Sequence, residues 1–303
     1  MDVLLKTQVT PDQIDHLGHM NVRFYSAHAR TGAESLLASI GLASDERIAL
    51  VGRDVYVRHH REQLVGAQLE VRGGVLDASP DRIRLYEELL NPEADEVAAA
   101  FVLSFDLVDL SSQQRVAIEG KVVEAARDLV VVLPDHGRPR SIDLDEDPTA
   151  QPPSLDLLRE RGLAIRQVRV IDDTLEADDE GVVSSAWLGE LVWGGEPAPG
   201  ADFRPLEPLP DGGSMGFATM ETRAAWARPA RRGDRIQSFG AELDIHSKTM
   251  LSRFWLYDVD GAELIAVFTV VNVAFDISAR RAIVIPDVVR DRITRRYHPD
   301  LGG

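Results

Sequence analysis

The sequence predicts an α+β protein built as two tandem copies of one plan, a long helix followed by a set of antiparallel strands. Three observations carry this. A strand-like run, Val3 to Val9, passes through a short polar turn into a helix-like run, Val22 to Ile40. Four alternating apolar runs follow, separated by turn residues. The series then recurs at nearly constant spacing. Asp178 lies 163 residues beyond Asp15, and Gly181 lies 163 beyond Gly18; Gly233 lies 167 beyond Gly66, and Asp276 lies 167 beyond Asp109.

In the first copy, Tyr25, Ala29, Ala33, Leu36 and Ile40 recur at spacings of three and four, an apolar stripe along one helix face. Gly41 then suits a helix C-terminus. The small residues Ala27, Ala29, Gly32 and Ala33 let that helix lie close against a sheet. Strands are expected over 50–60, 67–76, 82–90 and 97–109, where Leu69 and Val71, Ile83 and Leu85, and Phe101 to Leu107 keep a period of two. Val65-Gly66, Ala78-Ser79-Pro80-Asp81, Asn91-Pro92 and Ser111-Ser112-Gln113 supply the turns. Residues 134–162 hold Pro134, Pro139, Pro148, Pro152 and Pro153 beside Asp143, Asp145, Glu146 and Asp147, a composition that resists packing and reads as a linker. The second copy repeats the order: a strand at 165–171, a helix from near Ser184 through Trp187, Leu188, Leu191 and Val192 to Gly194-Gly195, and strands at 216–227, 235–245, 250–257 and 264–275. The four-residue growth of the offset fits the longer loop Gly194 to Gly213. The expected domains are 1–133, a linker at 134–162, and 163–303.

Composition narrows the function classes. A chain of 303 residues that is 44% hydrophobic and 27% charged can bury a sizeable core. The absence of cysteine removes disulfides, thiolate metal sites and thiol nucleophiles, and suits a reducing, cytoplasmic setting. No signal peptide is read at the start and no uncharged apolar run reaches a membrane span, so no membrane role is expected. A net charge of −17 speaks against a general nucleic-acid partner. It leaves room for a small anionic ligand at a local basic rim, for which Arg58-His59-His60-Arg61 and Arg228 to Arg232 are candidates; solvated charges at strand ends and turns are the plainer account of both. No HExxH pattern occurs, the pair His59-His60 alternates across a strand, and neither metal nor cofactor is expected. The glycine-flanked Ser214 reads as a turn serine rather than a nucleophile elbow.

Chemistry concentrates in Asp15-His16-Leu17-Gly18-His19-Met20-Asn21-Val22, between the first strand and the first helix. A helix N-terminus presents unpaired N–H groups and partial positive charge. An acid beside those donors can attack a carbonyl, or activate water against it, while the donors polarise its oxygen. Asp15 is the candidate catalytic group, with helix capping or turn formation as its structural alternative. His19 divides between positioning and a hydrogen bond within the turn, and His16 reads as solvated. Gly18 serves backbone geometry, Asn21 caps the helix, and Tyr25 reads as core. In the second copy the Gly-His-Met-Asn stretch becomes Gly181-Val182-Val183-Ser184 and Tyr25 becomes Leu188, so one working site and one degenerate site, Asp178 with Gly181, are expected.

Asp15-x-x-Gly18-His19-x-Asn21, with Tyr25 on the helix that follows, resembles the 4-hydroxybenzoyl-CoA thioesterase-like branch of the hotdog-fold superfamily. Two copies resemble a double-hotdog acyl-CoA thioesterase. That resemblance implies two tandem hotdog folds, each a long helix wrapped by an antiparallel sheet, packed as a pseudo-dimer with the site at the seam. It implies hydrolysis of a small or medium acyl-CoA with Asp15 as nucleophile or general base. His19 and Asn21 would shape the site, backbone groups at Gly18, Asn21 and Val22 would hold the oxyanion, and Tyr25, Arg58, His60 and Arg61 would contact substrate. The family often carries a second Asn where this chain has Val22. A homodimer of double units is left open. The rival functions are an enoyl-CoA hydratase-type reaction, whose Asp-x(4)-His pattern is not found around either helix, and a non-catalytic acyl-CoA binding module.

Overall fold

A computed structural model describes residues 1–15, 18–109, 111–112, 114–175, 177, 182–183, 187–201, 207–209 and 213–302. The chain divides into two units, Met1–Arg140 and Ser141–Gly303.

The first unit contains β1 (Asp2–Gln8), α1 (Val22–Ser39), β2 (Ile48–His59), β3 (Gln68–Ala78), β4 (Ile83–Asn91), β5 (Glu96–Asp109), β6 (Arg115–Val116) and α2 (Gly120–Arg127). Its strands lie in the order β1-β3-β4-β5-β2, every neighbouring pair antiparallel, with β6 on β5. The helix α1 buries Tyr25, Ala29, Gly32, Ala33, Leu36 and Leu37 against that sheet. The approach is close: a Cβ on Gly32 would come within 2.6 Å of Val71 Cγ1. Gly41 follows at φ +83°, the left-handed residue that ends the helix. The helix α2, which the sequence analysis did not anticipate, buries Val122, Val123 and Ala126 and packs on β3.

The second unit contains α3 (Leu155–Glu160), β7 (Arg169–Val170), α4 (Leu188–Trp193), β8 (Glu207–Pro208), β9 (Ser214–Trp226), β10 (Arg235–Ile245), β11 (Thr249–Asp258), β12 (Glu263–Asp276), β13 (Arg281–Ala282) and α5 (Asp287–Thr294). The order β7-β10-β11-β12-β9 reproduces that of the first unit strand for strand. So do the irregularities. Extra residues interrupt the first sheet between Val75 and Asp77, between Gly52 and Asp54, and between Val97 and Ala99. In the second they fall between Glu242 and Asp244, between Thr219 and Glu221, and between Leu264 and Ala266, each 167 residues further on. The repeat therefore holds at the level of strand register, and the architecture is a tandem α+β hotdog.

Three expectations change. The second unit does not repeat the long helix among its described residues: α4 has 6 residues where α1 has 18. Gly194 closes α4, and Gly195 follows at φ +82°, so the chain turns away after burying Leu188, Leu191 and Val192. Ser214, read as a turn residue, opens β9. The segment 134–162 is divided between the units and packs in both. Arg58 donates to the carbonyls of Asp135 and Arg138, and Gly137 lies against the Tyr86 ring. Further on, Arg253 grips Glu146 with two nitrogens, Tyr257 donates to the Pro153 carbonyl, and Leu155 and Leu158 are buried. A segment poor in apolar side chains thus packs through its carbonyls, which accept from side chains rooted in the strands. No helix among the described residues is long and apolar enough to cross a membrane.

Candidate active site

The turn before α1 is closed by its own backbone. Asp15 N donates to His19 O at 2.9 Å, and Gly18 N donates to Asp15 O at 3.0 Å. Gly18 sits at φ +87°, and nothing lies within 4 Å of where its Cβ would be. Glycine is thus required by backbone conformation rather than by crowding. Asn21 then caps α1, its side-chain oxygen accepting from Arg23 N at 3.1 Å. Met20 N donates to Gln63 O at 2.7 Å and so joins the turn to the chain leaving β2.

These bonds set three side chains in a row. His19 Nδ1 lies 3.5 Å from Asp15 Oδ2, and His19 Nε2 lies 3.5 Å from Glu62 Oε1. Asp15 and His19 are largely buried, at 15% and 19% side-chain exposure, while Glu62 at 44% faces solvent. At these distances the contacts are electrostatic rather than tight hydrogen bonds. Tyr25, behind them, is buried and donates its hydroxyl to Arg61 O at 3.0 Å. Burial raises its pKa, the charges of Glu62 and Asp15 add to this, and a hydrogen bond from the Gln63 backbone opposes it. The phenol therefore stays protonated near neutral pH.

The remaining expected site residues separate. Gly18 N and Asn21 N, nominated as oxyanion donors, are committed, the first to Asp15 O and the second to Gln13 O at 2.9 Å. Val22 N, at the exposed first position of α1, has no hydrogen-bond partner among the described residues and is the donor that remains. Tyr25 was expected to touch substrate; its hydroxyl is spent on Arg61 O, and its ring packs edge-on to His59 in the core. Arg58, nominated for a phosphate, is buried and holds the 135–138 carbonyls. His60 is also a poor cation: burial first, then the positive charges of Arg58, His136 and Arg140, push its pKa down to about 4. Arg61 is the nominated cation that reaches solvent, 3.6 Å from Glu96. Asp178, Gly181 and His16 lie outside the described residues. Sequence reasoning missed Glu62, because no spacing links it to residues 15–21. The repeat offers the signal, since the residue 167 positions beyond it is Pro229.

The geometry is that of a hotdog domain with an acid at the mouth of its central helix. Residues 9–126 match the family model of the thioesterase-like superfamily. The chain is 30% identical over 142 residues to an L-carnitine dehydrogenase/betainyl-CoA thioesterase of Agrobacterium fabrum, covering 44% of this chain and only 29% of that protein. It is 28% identical over 136 residues to a betainyl-CoA thioesterase of Pseudomonas aeruginosa, covering 43% of this chain and 86% of that one. Over a longer stretch the fold is shared with the 12:0-ACP thioesterase of Umbellularia californica, at TM-score 0.64 and 10% identity over 89% of this chain and 93% of that chain. An acyl-ACP thioesterase of Bacteroides thetaiotaomicron gives TM-score 0.61 and 11% identity over 88% and 96%.

Proposed function

We propose that the protein hydrolyses the thioester of a small or medium acyl-CoA at Asp15 in the first unit. The observation that carries this reading is a largely buried carboxylate beside His19, in the turn that leads into an 18-residue helix whose first amide, Val22 N, has no partner among the described residues. The match of residues 9–126 to the thioesterase-like superfamily supports it, as do relatives named betainyl-CoA thioesterases.

As a general base, Asp15 takes a proton from water while the water oxygen adds to the thioester carbon. The negative charge on the former carbonyl oxygen faces the Val22 amide and the positive end of α1. The C–S bond then breaks, the acid departs, and the proton held on Asp15 passes to the CoA thiolate. As a nucleophile, Asp15 would instead form an acyl-aspartyl anhydride that water opens. One turnover in H2 18O separates the routes, because attack of labelled water on the Asp15 carbonyl of that anhydride leaves label in the aspartate.

The test is free-thiol release from a panel of acyl-CoAs with the full chain. Asp15→Asn is expected to lower kcat by at least about 10²-fold with an unchanged circular dichroism spectrum. Wild-type turnover in that variant would remove the assignment, and tight binding of acyl-CoA without thiol release would make the chain a binding module.

A further inference from the structure

We propose that Glu62 is a positioning residue of this site, holding His19 so that His19 holds Asp15; the role rests on the thioesterase reading above. The first argument is geometric. Glu62 lies between two residues whose carbonyls are pinned: Arg61 O accepts from the Tyr25 hydroxyl on α1, and Gln63 O accepts from Met20 N in the Asp15 turn. The Gln63 side chain is also tied, its Oε1 accepting from Asn91 Nδ2 at 2.9 Å. A carboxylate between these anchors keeps its place even though its tip is half exposed, and that tip lies 3.5 Å from His19 Nε2. A ring flanked by Asp15 on Nδ1 and Glu62 on Nε2 has its orientation set from both sides.

The second argument comes from the other repeat, and it is independent of the distances. The frame of the site is kept there: Val183 N donates to Ala230 O at 2.8 Å, the counterpart of Met20 N to Gln63 O at 2.7 Å. The charged pair supported on that frame is lost as a pair, His19 giving way to Val182 and Glu62 to Pro229. If the His–Glu contact served that backbone bond, the bond in the second repeat would need it too. The contact instead goes with the motif that carries the chemistry.

Of the neighbouring groups, Tyr25 donates to the Arg61 carbonyl and Arg61 lies 3.6 Å from Glu96. Glu62→Gln keeps the shape and removes the charge. In the full chain it is expected to lower kcat for acyl-CoA hydrolysis about 10-fold or more while KM changes less than about twofold. Glu62→Asp, which restores the charge, should recover most of kcat, with the melting temperature of both variants unchanged. An unchanged kcat in Glu62→Gln, with Asp15→Asn inactive, overturns the role of Glu62 and leaves the hydrolytic reading standing. A wild-type chain that releases no thiol overturns the hydrolytic reading, and the positioning role falls with it.

Discussion

Arg58 and Arg61 stand three positions apart in one basic run, and the fold gives them opposite tasks. Arg58 belongs to β2 and is buried under residues 135–138, whereas Arg61 lies past the strand end and reaches solvent. Arg58→Ala should therefore lower the melting temperature with little effect on KM, because it strands two carbonyls. Arg61→Ala should leave the melting temperature nearly unchanged and raise KM for a CoA thioester severalfold, as loss of an exposed phosphate contact would. Paired melts and initial-rate measurements check both; the reverse pattern would return Arg58 to the ligand. At this scale the sequence was informative where chemistry is local. The Asp15 turn, its Gly18 and the Asn21 cap were all legible, because each acts within a few residues. Glu62 and the fate of Arg58 depend on contacts of 43 and 77 residues' separation, and no local pattern encodes those.

Among the elements, α1 shows a local rule overridden by its surroundings. Its inward stripe was legible from spacing, but what it packs against was not. Both oxygens of Glu87, on β4, would lie 3.3 Å from a Cβ at Gly32, and neither has a hydrogen-bond partner among the described residues. The same position in the second repeat is Phe254, and it presses on Gly240 as Glu87 presses on Gly73. Burial raises the pKa of Glu87 well above the ordinary range. The sign follows: the native state retains a proton that the unfolded chain has released, so stability is fullest below the unfolded value and declines as pH rises toward the folded one. Glu87→Gln should accordingly flatten the fall in melting temperature with rising pH, and Glu87→Leu should melt higher than wild type at pH 7 and above. Glu242 in the second unit, pushed up to about 7 by burial against the opposing Ser252 hydrogen bond and Arg296, supplies a separate decline between about 4.5 and 7 that the Glu87 variants retain. A melting curve whose pH dependence is untouched in Glu87→Gln would show that Glu87 is not the group responsible. The sequence analysis passed over α2 and α5, because two turns of helix after a strand give too short a window for period 3.6 to stand out.

For the molecule as a whole, the recurrence of the strands was legible from two glycines and two aspartates at offsets of 163 and 167, and the strand register repeats at 167. Among the described residues the long helix does not repeat with the strands. The strand register of the second unit is maintained, while α4 has 6 residues and the counterparts of His19 and Glu62 are Val182 and Pro229. Activity should follow that asymmetry: Asp178→Asn should keep kcat within about twofold of wild type, given that its neighbours supply no imidazole, whereas Asp15→Asn loses it. Equal losses in the two variants would mean two working sites.

The matched irregularities of the two sheets make their hairpins exchangeable. Residues 68–91 and 235–258 are equal in length and carry their extra residue at the same place, so transplanting one for the other keeps every side chain on its own side of the pleat. Such a chimaera would install an aromatic ring beneath the first helix in place of an acid, without touching the Asp15 turn. An ancestral duplication has thus left the protein with its own spare parts, already cut to size.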